Sequence, residues 1–325
     1  MADASAEDRK VLVAAGSRLL AEGLVARSWG NLSLRLSCST MAITPSGIPY
    51  PDLREDMIAL VDIRTGEWSG DWKPSGERAL HREIYHARSK VNAIVHTHQN
   101  AASACAAART AVPSPWGATP CAPYAPPGTA KLAKVTTAAL GDGPAVLLAN
   151  HGALTVAADL DKAFLVALEL EAAAAAHLSQ NARFLLPAKP DAGWNNKDLS
   201  FVALADGTSA LLSAAPYTLA WSKRGLPLPA VLDDLAQIVG IKVPVSTVWP
   251  ERRPASEALL VADRGLLSRG PDAEAIAMVV EKAALAAICS ESLGGAVALP
   301  TYEAAIMRFV YKQSYAKRAA KAARS

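Results

Sequence analysis

Hydrophobic positions mark out the elements of the first half in turn. From Ser5 to Arg27 apolar residues recur at helical spacing (Val11, Leu12, Leu19, Leu20, Leu24), with Asp8 near the start, which predicts a helix ending at Trp29-Gly30-Asn31. Leu32-Ser33-Leu34-Arg35-Leu36 alternates like a half-buried strand, and Met41-Ala42-Ile43 opens another that stops at Thr44-Pro45-Ser46-Gly47. Ala79, Leu80, Ile84 and Tyr85 return to helical spacing behind Lys73-Pro74-Ser75-Gly76-Glu77, which makes Glu77 a first-turn carboxylate. Val91 to Val95 is a strand-sized apolar run, Asn100 to Ala108 a small apolar helix and Lys131 to Leu140 a further helix. Val146 to Ala149 reads as strand, and Asp159 opens an Ala-rich helix to about His177. Pro113 to Pro127 reads as a stiff surface crossing that carries Tyr124. Such alternation predicts α/β or α+β packing.

The chemistry gathers at Val95-His96-Thr97-His98. In a strand, residues i and i+2 share a face, so His96 and His98 stand together, about 7 Å apart along an extended backbone. Two imidazoles so placed suit one divalent ion, and His151, in Asn150-His151-Gly152 just after an apolar run, is a candidate third. Three His with an open fourth position make a catalytic metal site rather than a closed structural one. None of the 6 His follows His177, which confines imidazole chemistry to the first half. Glu77 has two readings: a carboxylate complementing a helix dipole, or a general acid/base if the fold brings it to His96. Turns at Gly30-Asn31, Ser46-Gly47 and Ser75-Gly76 supply the backbone N–H groups and hydroxyls of an anion-binding loop, and equally those of ordinary turns.

Composition narrows the classes. A chain of 325 residues, 51% hydrophobic, has room for two domains and a sizeable core. A net charge of +3 is too balanced to argue for nucleic acid, and the basic run Lys312 to Arg324 reads as a solvated helix end. The 4 Cys show no CxxC spacing and fit reduced thiols, and the acidic N-terminus lacks the form of a secretory signal, so a cytoplasmic location is expected. The Ala-rich stretches near 163–176 and 273–289 are interrupted by Glu169, Glu171, Glu281 and Lys282; they read as buried amphipathic helices, not membrane spans.

Six motifs in order carry a resemblance: Gly30-Asn31-Leu32-Ser33, Ile43 to Tyr50, Lys73-Pro74-Ser75-Gly76-Glu77, Val95-His96-Thr97-His98, Pro120-Cys121-Ala122-Pro123-Tyr124 and Asn150-His151-Gly152. Residues 8 to 185 resemble the class II aldolase and adducin family. The resemblance implies an α/β/α sandwich around a mainly antiparallel sheet. It implies that His96, His98 and His151 bind zinc or another divalent metal and that Glu77 is the acid/base. Gly30, Asn31, Ser46, Gly47, Ser75 and Gly76 would lie on loops that hold a substrate phosphate, and Tyr124 at a tyrosine that reaches a neighbouring subunit's site. The implied activity is that of a zinc-dependent aldehyde-lyase: retro-aldol cleavage of a small hydroxy-carbonyl or sugar phosphate through a metal-stabilised enediolate. Glu77 would exchange the proton on carbon and Tyr124 that on the aldehyde oxygen. Ser75-Gly76 stands where family aldolases carry Ser-Ser, one hydroxyl fewer for a phosphate. Dehydration, epimerisation or decarboxylation at the same metal, and an adducin-like interaction protein without catalysis, are the alternative readings. Family members assemble as tetramers, so a homo-oligomer, dimer or tetramer, is expected.

The second half carries echoes of the first. Gly47 to Asp56 resembles Gly225 to Asp234 at an offset of 178, and Gly152-Ala153-Leu154 with Asp159 resembles Gly265-Leu266-Leu267 with Asp272 at an offset of 113. The offsets differ by 65, which predicts a shortened copy lacking the equivalents of Glu77 and the His-x-His pair. Arg264 takes the place of His151, and a permanent cation there cannot ligate a metal. The expected organisation is a metal-binding aldolase-like domain over 1–185 and a degenerate aldolase-like domain over 197–325, joined by Gln180 to Lys197 and packed as dimers with four-fold-like symmetry.

Overall fold

The computed structural model describes residues 4–179 and 199–322, with side chains as far as residue 313. Contacts divide the chain into two compact units, Met1–Ala192 and Gly193–Ser325. The expected linker from Gln180 to Lys197 lies outside the described residues.

The first unit contains strands β1 (Asn31–Arg35), β2 (Thr40–Ile43), β3 (Ala59–Asp62), β4 (Trp68–Ser69), β5 (Ala93–Thr97), β6 (Val112–Ser114), β7 (Gly117–Thr119), β8 (Cys121–Ala122), β9 (Ala145–Leu148) and β10 (Gly152–Ala157). Its helices are α1 (Ala6–Ala21), α2 (Arg78–Ala87), α3 (Asn100–Ala107), α4 (Ala130–Leu140) and α5 (Leu160–Ser179). One sheet runs β4-β3-β2-β1-β5-β10-β9-β8. Only β8 and β9 pair in parallel; the other neighbours are antiparallel. Leu12 and Leu19 of α1 and Phe164 of α5 pack on one face with Ala93 and Val95. Leu80 and Ile84 of α2 and Leu132 of α4 pack on the other with Ile94 and Leu154. This is an α/β/α sandwich around a mainly antiparallel sheet. The period of two along β5 sends Ala93 and Val95 to one face and Ile94 to the other. His96 shares the parity of Ile94 and so faces the side where α2 begins.

Three local expectations change. Helix α1 stops at Ala21 rather than near Arg27, because Gly23 adopts φ 67 and the N–H groups of Gly23 and Leu24 bond back to Leu20 and Leu19, closing the helix end. Glu77 is the residue just before α2, not in its first turn; its N–H donates to Ser75 Oγ. The Pro-rich crossing is not plain surface: β6 and β7 form a hairpin, and β8 joins the sheet beside β9.

The second unit contains β11 (Leu199–Ala203), β12 (Ser209–Ser213), β13 (Leu228–Pro229), β14 (Lys242–Val243), β15 (Val245–Ser246), β16 (Ala258–Val261) and β17 (Gly265–Ser268), with α6 (Pro216–Ser222), α7 (Asp233–Ile238), α8 (Ala273–Cys289) and α9 (Thr301–Ala322). Its sheet runs β11-β12-β17-β16-β15, with only β15 and β16 parallel. Helix α8 is not amphipathic: every residue from Val279 to Cys289 is buried. Its charges are matched inside, Lys282 Nζ lying 2.6 Å from Asp234 and Glu281 accepting the N–H groups of Tyr217 and Thr218.

Of the two sequence echoes, one fails. Gly47 lies between β2 and β3, whereas Gly225 follows α6, so these segments sit at different points of their sheets. In the other, Ala153, after Gly152, pairs with Thr97, and Leu266, after Gly265, pairs with Ser213. Strand β12 thus pairs with β17 in the register that β5 has with β10, with Leu212 and Ala214 on either side of Ser213.

Candidate metal centre

Two backbone devices bring the imidazoles together. Strand β5 ends at Thr97, and the His98 N–H donates to Leu24 O at 3.0 Å. On the opposite side, Asn150 turns the chain between β9 and β10 with φ 60. Its amide oxygen accepts from Arg109 Nε and Nη2 at 3.1 and 3.0 Å. Gly152 then lets β10 close on β5: a Cβ there would stand 2.2 Å from Thr97 O. His151 is thereby carried to the end of β5.

The outcome is a buried three-imidazole cluster. His96 Nε2 lies 3.1 Å from Nε2 of His151 and 3.1 Å from Nε2 of His98. His96 Nδ1 donates to Ala153 O at 2.8 Å, so its Nε2 presents a lone pair to the other two. Ligands about 2.0–2.1 Å from one tetrahedral ion stand roughly 3.3 Å apart, close to the spacing here. The donor set therefore fits a divalent cation. Trp29 stacks on His98, ring centres 6.2 Å apart, and shields one side.

Glu77 completes the group. Its Oε2 lies 3.1 Å from His96 Nε2 and accepts from Asn31 Nδ2 at 2.9 Å; its Oε1 lies 3.5 Å from His151 Nε2. Burial disfavours its charge, yet His96, His151 and the Asn31 amide together hold the carboxyl well below the usual range. A buried carboxylate beside three converging imidazole nitrogens is a donor set that suits a cation.

A family model, the class II aldolase and adducin N-terminal domain, matches residues 10–178. The chain belongs to this family. It is 32% identical over 173 residues to a 5-deoxy-D-ribulose 1-phosphate aldolase of Bacillus thuringiensis serovar kurstaki, covering 51% of this chain and 81% of that one. To an L-fuculose phosphate aldolase of Haemophilus influenzae it is 34% identical over 164 residues, 48% of this chain and 75% of the other. A solved L-fuculose 1-phosphate aldolase superposes with a TM-score of 0.53 at 34% identity, covering 57% of this chain and 92% of its own. The first unit is thus that of a class II aldolase-type enzyme, with a cluster able to bind a metal. No helix among the described residues is long and apolar enough to cross a membrane.

The remaining residues singled out in the sequence fall in this aldolase unit as two groups. Loops 44–47 and 73–77 are zipped together, Ser46 N–H to Lys73 O at 2.9 Å and Ser75 N–H to Thr44 O at 3.0 Å, which sets Ser46, Gly47, Ser75 and Gly76 side by side. Asn31 pairs with His96 across β1 and β5, and Gly30 packs against the His96 carbonyl, where a Cβ would be 2.5 Å away. Tyr124 belongs to the second group: its ring lies 5.8 Å from the Arg109 guanidinium that grips Asn150. Sequence reading missed Arg109, Trp29, Ser33 and His81. For His81 a signal existed, since it lies four residues after Glu77, on the same face of a helix.

Proposed function

We propose that the first unit is a zinc-dependent aldehyde-lyase that splits a small hydroxy-carbonyl compound by retro-aldol cleavage, sugar phosphates like those its relatives are named for being the first substrates to try. The observation that carries this reading is the convergence of three imidazole nitrogens beside Glu77, 3.1 Å from His96. His96, His98 and His151 would hold the ion. Once bound, a divalent cation supplies positive charge for the oxygens of such a substrate. Glu77 Oε2 is committed to Asn31, so Oε1, buried and without a hydrogen bond among the described residues, is the atom that exchanges the proton on the carbon of the ketone fragment. The loops bearing Gly30, Asn31, Ser46, Gly47, Ser75 and Gly76 bind the far end of the substrate. Tyr124 serves the proton on the aldehyde oxygen from a neighbouring copy in a cytoplasmic dimer or tetramer, and the free state of all four cysteines accords with a reducing compartment.

We also read the second unit, from about 197, as a shortened aldolase-like copy without a metal. Its support is the matching strand order together with Leu212, Ala214 and Arg264 at the three ligand positions.

Metal content by elemental analysis, beside His96→Ala, tests the first reading. About one zinc per chain, lost in the variant, is expected, followed by aldehyde release from hydroxy-ketones or their phosphates. A folded protein that takes up no metal when zinc is supplied would leave the adducin-like interaction role as the better reading. A solution mass equal to one chain removes the neighbouring-copy role of Tyr124.

A further inference from the structure

Beneath Glu77 runs a line of buried polar side chains that the proposed chemistry does not use. Asn31 Oδ1 faces His81 Nε2 at 2.5 Å, His81 Nδ1 faces Ser33 Oγ at 2.7 Å, and Ser33 Oγ faces Tyr85 OH at 2.8 Å. His81 and Ser33 are 0% exposed, and Asn31 and Tyr85 are buried with them. They come from two elements, Asn31 and Ser33 from alternate positions of β1, His81 and Tyr85 from successive turns of α2.

The direction of every bond follows from the last acceptor. Asn31 turns its NH₂ to Glu77 Oε2 at 2.9 Å and its carbonyl to His81. His81 must then carry its hydrogen on Nε2. A neutral imidazole has one N–H, so Nδ1 accepts, and the single Ser33 hydroxyl hydrogen is spent on it. Tyr85 is left to donate to Ser33 at 2.8 Å, the nearer of its two acceptors, Asn92 O being 3.4 Å away. The chain of donors runs one way, from Tyr85 through Ser33, His81 and Asn31 to Glu77. A flipped Asn31 would set its oxygen against Oε2, acceptor facing acceptor.

We infer that His81 is a positioning residue: as the Nε2–H tautomer it holds the Asn31 amide in the one orientation that donates to Glu77 Oε2, which leaves Oε1 as the oxygen that exchanges a proton with substrate. The second clause rests on the reading of Glu77 as the acid/base of a lyase; the first stands on hydrogen-bond geometry alone. Burial pushes His81 down to about 3, consistent with a neutral ring.

Nitrogen NMR of the full-length, zinc-supplied protein tests the geometry without any assay. The His81 signals, assigned by their absence in His81→Gln, are expected to show a protonated Nε2 and a bare Nδ1, and the Asn31 side-chain NH₂ is expected to be protected from exchange. An Nδ1–H or doubly protonated His81, or Asn31 protection unchanged in His81→Phe, overturns the inference, whether or not the wild type cleaves any hydroxy-ketone. Should His81→Phe not fold, Ser33→Ala takes its place, with a weakened preference for the Nε2–H tautomer as the expected result and an unchanged one as the overturning result. Where the wild type is active, His81→Phe is expected to lower kcat about 10- to 100-fold with metal content and KM held. His81→Gln, which keeps an N–H near Nε2, is expected to restore most of it. On an Asn31→Ala background the His81→Phe loss should vanish; an undiminished loss there shows that His81 does not act through Asn31. A wild type inactive on every hydroxy-ketone removes the lyase reading and leaves the NMR result to decide the positioning claim.

Discussion

Strands β1-β5-β10-β9-β8 of the first unit and β11-β12-β17-β16-β15 of the second follow the same order with the same pairing directions, three antiparallel steps and a final parallel one. The shared details reach single atoms. A Cβ on Gly152 or on Gly265 would stand 2.2 Å from a backbone oxygen, that of Thr97 or Ser213. Asn150 and Asp263, two residues ahead of these glycines, both take φ 60. Glu171 of α5 accepts the N–H groups of Ala101 and Ala102 at the start of α3, and Glu281 of α8 accepts those of Tyr217 and Thr218 at the start of α6. What differs is chemistry: the first unit goes from β1 to β5 by way of β2 to β4 and α2, the segment that brings Glu77 and His81, while the second goes from β11 straight into β12. The two sheets share this backbone frame although only the first carries the segment with Glu77 and His81, because the frame is held by close packing and main-chain bonds that owe nothing to the imidazoles.

Four experiments bear on this contrast. Glu77→Gln should retain metal and lower the cleavage rate about 10²- to 10⁴-fold, whereas Arg264→Ala, at the matching turn of the second unit, should change neither; steady-state kinetics with metal analysis gives both. Gly152→Ala and Gly265→Ala should each destabilise by about 1–3 kcal/mol or more through overpacking against a carbonyl. Gly265 should cost more, since φ 104 adds backbone strain; equal melting temperatures for the two variants would contradict the difference. Glu171→Ala and Glu281→Ala each remove a charged acceptor from two N–H groups, about 1.5–3 kcal/mol. Glu281, buried where Glu171 is only half-buried, should be the more sensitive in denaturant titrations.

The gentlest test is pH. An unfolded imidazole binds a proton below about 6.5, and folded His81 does so only near about 3. Its contribution is therefore complete above the unfolded value and is lost as pH falls toward the folded one, at most about 1.4 kcal/mol per unit. The second unit has no His. Hydrogen exchange at pH 7 and 4.5 should show this acid sensitivity in β1 and α2, abolished by His81→Gln, and no such histidine effect in the second unit.

Most elements of the first unit could be read from periodicity because their burial is local and repetitive: the alternation along β5, or Leu80 and Ile84 on α2, states which face is inside. The misplaced ends had nonlocal or conformational causes. Gly23 closes α1 through a left-handed residue that a hydrophobic pattern does not register, and β8 is a strand only because β9 lies beside it. The failed match of Gly47 with Gly225 has the same origin, since short Gly/Pro turns recur without any shared place in a sheet.

The sequence alone put His96 and His98 on one face, supplied Glu77 at a helix start and placed His151 after an apolar run, because strand parity and helix entry depend on neighbours a few residues away. Folding did the rest. That His151 meets His96 depends on Gly152 letting two strands touch, and that Glu77 meets both depends on α2 lying over the face that carries Ile94 and His96. The Tyr85-Ser33-His81-Asn31 line exists only where β1 and α2 cross. Directional hydrogen bonds between residues some fifty positions apart leave no periodic trace in the chain; they become visible once packing has set the two elements side by side.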